Sequence, residues 1–369
     1  MTLPPPQPGG HGPYDPGFPG GQPQWQPQPA PRRRGSGWKW ALGGVALVAV
    51  IGVTAGVTVS VVDNDKSDGR GNSAPTGASH ASGGTTSDIA SANDTGPVAI
   101  ITEDPTCAAQ DPILRTMANR TGDGWDKRDA AKPASEWTPE VRAQFEEAGT
   151  AMRSAADQMI PLAKLTPHRV MRELYEQFIV YARAYADSIP TYTAPDDNLA
   201  LVSNATSSAI SHICGAIGNG SAAARSPLVP PLSAPAQVAP VGDPADPQRF
   251  LEKPIAVCGD WSSAREQYRH DMIEWNKTDP AIPASQWTPE LKALSESVAT
   301  VMSGYASRLQ ELGERSGNPA LGDFADMLAQ YRRAFVVAIP TYQPADNYLA
   351  MVPTRLEALI ETACDALDG

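Results

Sequence analysis

The chain repeats itself, and this constrains its fold more than any other feature. The segment from Trp125 to Glu140 recurs 150 positions later, from Trp275 to Glu290, with both tryptophans and the Pro-Ala-Ser and Thr-Pro-Glu motifs retained. The tetrapeptide Ile-Pro-Thr-Tyr at 189–192 recurs at 339–342 in the same register. An offset held over this length indicates two copies of one domain. Residues present in both copies are therefore the first candidates for a structural or functional role.

The sequence ahead of the repeats predicts a tail and a membrane span. Residues 1–37 are rich in Pro, Gly and Gln, and such a segment buries too little apolar surface to offset its ordering entropy, so we expect a disordered tail. Within 38–62, the run from Ala41 to Val62 carries no charge and is long enough to cross a bilayer. The preceding Arg32-Arg33-Arg34 cluster predicts a single-pass plasma-membrane protein with a cytoplasmic N-terminus and extracytoplasmic C-terminal domains. A cleaved signal peptide is the alternative, which the length of the run disfavours.

Small residues within the predicted span suggest a contact between two copies. Gly44, Gly52 and Gly56 lie on roughly one helical face, and this spacing lets helices approach closely enough to form a homodimer. The simpler interpretation is that glycine is common in membrane helices. The formal net charge of −12 argues against nucleic acid as a partner.

The remaining sequence divides into two spacers and two domains. Residues 63–96 and 218–247 have the Ser/Gly/Thr and Pro/Ala composition of flexible linkers. Between and after them lie helical repeat 1, at 97–217, and helical repeat 2, at 248–369, each of ordinary domain size.

Four cysteines bracket the two repeats. Cys107 and Cys214 stand near the ends of the first, and Cys258 and Cys364 near the ends of the second. Four cysteines allow three pairing schemes, and the repeat selects the one with a disulfide within each copy, Cys107–Cys214 and Cys258–Cys364. An extracytoplasmic location permits such disulfides, whereas four free buried thiols are the alternative.

Helix signals dominate both copies and predict an all-α fold. Thr138-Pro139-Glu140 and Thr288-Pro289-Glu290 combine a Thr cap, a Pro at the first helical position and an acid in the first turn. A first helix is expected at about 111–127 and 258–277, and Pro353 is expected to delay the last one. Four helices with short loops predict an up-down-up-down bundle, in which the paired cysteines lie at the same end. The predicted architecture is two tandem disulfide-stapled four-helix bundles.

Duplicated aromatic and acidic residues are the candidate ligand or partner surface. Loop residues kept in both copies include Tyr192 and Asp196, with Tyr342 and Asp346 as counterparts. The tryptophans of the long duplicated segment could line a pocket for a sugar or a peptide: Trp125, Trp137, Trp275 and Trp287. The alternative is structural: the rings pack against the bundle, while Asp196 and Asp346 cap the last helix.

The sequence offers no catalytic, cofactor or metal motif. The chain has no GxSxG nucleophile motif, no EF-hand spacing and no zinc pattern among its cysteines and five histidines. We therefore predict a non-enzymatic protein without metal or cofactor.

In plan, the chain resembles the proline-rich single-pass membrane proteins of mycobacteria and related actinobacteria. The resemblance rests on the Pro/Gly/Gln head, the arginine cluster, the one apolar span, and the Trp-Thr-Pro-Glu, Ile-Pro-Thr-Tyr and terminal-cysteine pattern. It implies a cell-envelope protein of unassigned function. The resulting hypothesis is a membrane-anchored envelope protein whose duplicated helical domains bind a protein or a glycan. The alternatives are a small-ligand sensor or carrier with a pocket in each bundle and, less favoured, a cell-wall enzyme.

Overall fold

Helix starts lie where the sequence motifs predict them. The computed structural model describes residues 88–122 and 124–367. The Thr138 hydroxyl accepts a hydrogen bond from the Val141 N–H (3.3 Å) at the start of α2, Pro139–Leu165. Thr288 does the same for Leu291 (3.3 Å) at the start of α7, Pro289–Arg315. The duplicated Thr-Pro-Glu motif is therefore a helix N-terminus in both copies.

The other helices follow the same repeat. In the first half they are α1 (Cys107–Thr121), α3 (Arg169–Ser188), α4 (Asp197–Gly218) and the short α5 (Ser221–Arg225). In the second half they are α6 (Val257–Asp271), α8 (Pro319–Ala338) and α9 (Asn347–Asp365). The described residues contain helices and no strands, which confirms the predicted all-α class.

Two helix boundaries differ from the prediction. The first helix of each copy ends at Thr121 or Asp271, and the expected last turn is a separate 3-10 turn at Trp125–Lys127 or Trp275–Lys277. Pro353 does not delay α9, which begins at Asn347 and contains the proline. As the seventh residue of α9, Pro353 removes the hydrogen bond that an N–H there would donate to the Leu349 carbonyl, and burial of Pro353 with Val352 and Leu356 in the core offsets this loss.

Each half is a bundle in which consecutive helices pack side by side. The Cys107–Cys214 disulfide joins the start of α1 to the end of α4, with 5.3 Å between the Cα atoms. Cys258–Cys364 joins α6 to α9 in the same way, at 5.8 Å. The predicted pairing within copies and the two bundle-like halves are confirmed.

The two halves pack together mainly through α4 and α9. Gly215 of α4 faces the Tyr348 ring of α9 so closely that a Cβ at this position would lie 2.3 Å from a ring carbon. Between α3 and α8, the Arg169 guanidinium pairs with the Asp323 carboxylate at 2.7 and 3.0 Å. Both side chains of this ion pair are almost completely buried.

The segments ahead of each bundle cross to the opposite half. The Ile101 N–H donates to the hydroxyl of Tyr331 in α8 (3.2 Å). The Phe250 N–H donates to the side chain of Gln177 in α3 (3.0 Å). Within residues 218–247, expected to be a spacer, Arg225 at the end of α5 pairs with Asp346 of the second half (2.8 Å). The described residues belong to one compact unit.

Several predictions lie outside the described residues. These are the proline-rich tail at 1–37, the membrane span at 38–62 with Gly44, Gly52 and Gly56, and the linker at 63–96 as far as residue 87. Within 88–122 and 124–367, no helix has both the length and the apolar character needed to cross a membrane.

Candidate functional site

The duplicated motifs meet at one end of each bundle. The N–H of Ala134, in the loop before α2, donates to the carbonyl of Tyr192, in the loop before α4 (2.9 Å). The bond from Ala284 to Tyr342 is its counterpart (2.9 Å). Backbone pairing therefore brings the Trp-Thr-Pro-Glu and Ile-Pro-Thr-Tyr motifs together in both halves.

Aromatic rings from the two motifs are in contact at this end. The centroids of Trp137 and Tyr192 lie 5.2 Å apart, and those of Trp287 and Tyr342 lie 5.6 Å apart. All four rings are buried. Their polar atoms bond to local carbonyls: the indole N–H groups of Trp137 and Trp287 donate to Lys132 and Ile282, and the hydroxyls of Tyr192 and Tyr342 to Ala130 and Pro280. These contacts account for the duplication of the motifs.

In the first half, an arginine fills the space beside the tryptophan. The Arg128 guanidinium lies over the Trp125 ring, 3.7 Å from its centroid. Its Nε donates to the carboxylate of Asp197 at the start of α4 (2.6 Å), and its Nη1 to the Trp125 carbonyl (3.3 Å). The Trp125 indole N–H donates to the Tyr185 hydroxyl (2.7 Å). The first-half site is thus occupied by its own side chains.

In the second half, each of these three partners is replaced. Thr278 stands at the position of Arg128, Asn347 at that of Asp197 and Phe335 at that of Tyr185. Trp275, the counterpart of the buried Trp125, is only half-buried. A cavity of about 200 Å³ opens here, and its lining includes Trp275, Trp287, Phe335, Tyr342, Thr278 and Asn347. We call this cavity the aromatic pocket.

The walls of the aromatic pocket are rings held at fixed angles. Trp275 meets Trp287 and Phe335 edge to face, with centroid distances of 6.4 and 6.3 Å. Phe335 also meets Tyr342 at 6.0 Å. Such edge-to-face contacts favour one orientation of each ring.

Two polar side chains at the pocket bond to nearby backbone groups. The Thr278 hydroxyl donates to the Trp275 carbonyl (2.8 Å), the acceptor that Arg128 uses in the first half. The carboxylate of Asp279 accepts from the Ala281 N–H (2.8 Å). Burial, and next the charges of Asp346 and Asp279, raise the pKa of the Tyr342 hydroxyl, so this group stays protonated and neutral.

The two duplicated aspartates do not cap the last helix as expected. The Asp196 carboxylate turns back to accept from the Thr193 N–H (2.7 Å) and hydroxyl (2.9 Å). Asp346 accepts from the Gln343 N–H (2.9 Å) and pairs with Arg225. Neither carboxylate bonds to the first turn of α4 or α9. Each aspartate closes the 3-10 turn ahead of the helix, because its side chain reaches the N–H three residues back more easily.

The internal repeat predicts the rings that line the pocket but not the reason that it is open. The tryptophans and tyrosines are present in both copies. The decisive residues, Arg128 and Asp197 with their counterparts Thr278 and Asn347, differ between the copies. The sequence signal for them lies at these aligned positions of the two copies, where the first copy has two opposite charges and the second has small neutral side chains. In the described part of the chain, no group of three or more His, Cys, Asp or Glu side chains could hold a metal ion.

Comparison with known proteins places the chain in a family. The model of a family described as mycobacterial ESX-1 associated protein matches residues 89–369. An uncharacterized protein of Mycolicibacterium smegmatis (strain MKD8) is 53% identical over 364 residues, which cover 99% of this chain and 94% of that protein. No solved structure matches. The expected kinship with mycobacterial proteins of unassigned function is confirmed at the level of the family, and the single membrane span stays a prediction.

Proposed function

The chain belongs to the family of mycobacterial ESX-1 associated proteins, and we propose that it is a non-enzymatic protein that binds a partner of the ESX-1 secretion system. The binding site in this proposal is the aromatic pocket of the second half. The predicted span at 38–62 holds the chain in the plasma membrane with the two bundles outside the cytoplasm.

One observation carries the proposal: equivalent sites in the two halves are filled in one case and open in the other. Arg128 closes the first site with an ion pair, whereas Thr278 leaves the second open. Packing explains the motifs that both halves share, yet it does not require one half to keep an open aromatic cavity. Concave sites lined by aromatic side chains with a few polar groups are typical of binding sites.

The two disulfides are consistent with a location outside the cytoplasm, where such bonds persist. Cys258–Cys364 joins the start of α6 to the end of α9, at the end of the bundle opposite to the aromatic pocket, which lies after α6 and before α9.

A small-ligand carrier is the second candidate function, because the aromatic pocket is a concave site lined by rings. A volume of about 200 Å³ is below the usual range for drug-sized ligands. It is sufficient for a single side chain or a fragment of similar size. We therefore rank a protein partner, which inserts one side chain, above a free ligand.

Site-specific photo-crosslinking in mycobacterial cells tests the proposal. A benzophenone amino acid replaces Asn276, an exposed residue at the pocket. The matched control replaces Asp126, the equivalent exposed residue of the first half. We expect an adduct from position 276 with a protein of the ESX-1 system, identified by mass spectrometry, and a much weaker one from position 126.

Equal adducts at both positions, or no protein adduct at position 276, would refute partner binding at the aromatic pocket. If position 276 gives no protein adduct and native mass spectrometry detects a bound small molecule instead, the carrier function replaces the proposed one. The first-half control separates a specific site from the general surface of the bundles.

A further inference from the structure

The first half contains a guanidinium in the site that stands open in the second. The Arg128 side chain is only 10% exposed and Asp197, its partner, 11%. The cation lies at 3.7 Å from the centroid of the Trp125 ring, within the distance at which the negative face of an aromatic ring attracts a cation. This bundle end therefore accommodates a planar cation against its first tryptophan.

The second half keeps the ring that faces the cation and lacks the cation itself. Trp275, Trp287 and Tyr342 repeat rings of the first half, and Phe335 replaces the ring of Tyr185. No lysine or arginine is among the described residues that line the aromatic pocket. Its charged member is Asp279, an exposed carboxylate. The chain as a whole carries a formal net charge of −12, which favours the approach of a cation over that of an anion.

The exchange of Asp197 for Asn347 distinguishes a permanent occupant from a reversible one. A buried carboxylate without its partner is strongly destabilising, so Asp197 requires Arg128 to be present at all times. Asn347 offers an oxygen as an acceptor but carries no charge, and an empty pocket then holds no uncompensated buried ion. The second half can therefore exist both empty and filled.

We propose that the aromatic pocket binds the guanidinium group of an arginine side chain presented by a partner protein. The inference deepens the proposed function and rests on it for the identity of the partner as a protein. In this arrangement the incoming guanidinium stacks on Trp275 and donates to the side-chain oxygen of Asn347. It takes the place that Arg128 takes in the first half.

The test uses the full chain in detergent micelles, labelled with 5-fluorotryptophan and observed by fluorine NMR. The probe is N-acetyl-arginine methylamide, and the matched control is N-acetyl-citrulline methylamide, which has the same shape without the charge. We expect the Trp275 and Trp287 resonances to shift with the arginine probe, at about tenfold lower concentration than with the citrulline probe. The Trp125 and Trp137 resonances are internal controls, because Arg128 fills their site.

Two variants test the site itself. Thr278→Arg introduces the first-half residue and is expected to abolish the response by filling the pocket from within. Thr354→Arg makes the same change at an exposed position of α9 and is expected to leave the response intact. In the opposite direction, the double variant R128T/D197N opens the first half, and its Trp125 resonance is expected to respond to the arginine probe.

Equal shifts with the two probes, or a full response in Thr278→Arg, would overturn the inference. So would the absence of any shift at about 10 mM arginine probe, a concentration that would detect even weak binding. The result of this NMR test can be distinguished from the result of the crosslinking test of the proposed function. Crosslinking at position 276 without an arginine preference refutes only the arginine ligand, and an arginine response without a protein adduct refutes only the protein partner.

Discussion

The buried ion pair between the halves gives the sharpest prediction of stability. Replacing Asp323 by Asn keeps the size of the side chain and removes the charge that faces Arg169. The guanidinium loses its two hydrogen bonds to the carboxylate, at 2.7 and 3.0 Å, in a place where both side chains are almost completely buried. Its bonds to the Asp94 and Gly96 carbonyls remain.

The expected loss is about 3 kcal/mol of the free energy of unfolding. Breaking a buried ion pair by removing one partner typically costs about 3–5 kcal/mol. A second carboxyl group moderates the loss here. Burial, and next the charge of Asp323, hold the pKa of Glu173 well above its usual range. Without the Asp323 charge, Glu173 ionises more readily and partly replaces the missing partner of Arg169, which places the loss at the lower end.

Urea unfolding of the full-length protein in mild detergent, with its disulfides intact, measures the effect. The matched control is Asp187→Asn, which removes the carboxylate that pairs with Arg153 at 2.6 Å on the surface. With side-chain exposures of 43% for Arg153 and 70% for Asp187, this control is expected to change stability by less than about 1 kcal/mol.

A double-mutant cycle decides whether the ion pair is the cause. In R169M/D323N the unpaired cation is gone, so this variant is expected to be more stable than Asp323→Asn alone. The reasoning is refuted if Asp323→Asn and Asp187→Asn cost the same within about 0.5 kcal/mol, or if the two changes in the cycle simply add.

Further predictions concern the disulfides, the contact between the halves and pH. The variant C107S/C214S is expected to lose about 4 kcal/mol in the same assay, because its loop spans 107 residues; a loss below about 1 kcal/mol would contradict this. Gly215→Ala is expected to lower the melting temperature, since its Cβ would meet the Tyr348 ring, whereas Gly218→Ala meets nothing and should not. Burial raises the pKa of Asp326 to about 6. Its stabilising contribution is complete below the usual pKa of 3.8 and is lost as pH rises through 6. Asp326→Asn should therefore stabilise the protein at pH 8 by about 1 kcal/mol, allowing for solvent screening, and leave it unchanged at pH 3.

Much of the local structure could be predicted because it depends on short-range chemistry. A Thr followed by Pro and Glu satisfies the free N–H groups of a helix start wherever it occurs, so α2 and α7 begin as expected. The cysteine pairing also follows, since a bundle with four helices returns its last helix end to its first. Some predictions fail where two local arrangements compete. The Asp196 carboxylate can accept from N–H donors of the turn before α4 or of the first turn of α4, and the sequence does not say which.

The candidate site shows where sequence reasoning ends. The rings of the pocket are visible in the repeat, but a packing role and a binding role would have the same sequence signature. The first site is closed because Arg128 reaches Asp197 across 69 positions of sequence, a contact that only the folded bundle makes. Once that contact is known, the loss of both charges at Thr278 and Asn347 becomes meaningful.

The sequence by itself determined the helices, the two-copy plan and the disulfide pairing, because each depends on local signals or on the internal register. Only the tertiary structure decided that α4 packs on α9 and that the segments ahead of the bundles cross between halves. It also decided that one of two equivalent sites is open. These features arise from contacts between residues far apart in the chain, such as Gly215 with Tyr348 and Arg169 with Asp323. Their shape complementarity and desolvation exist only after the chain has folded.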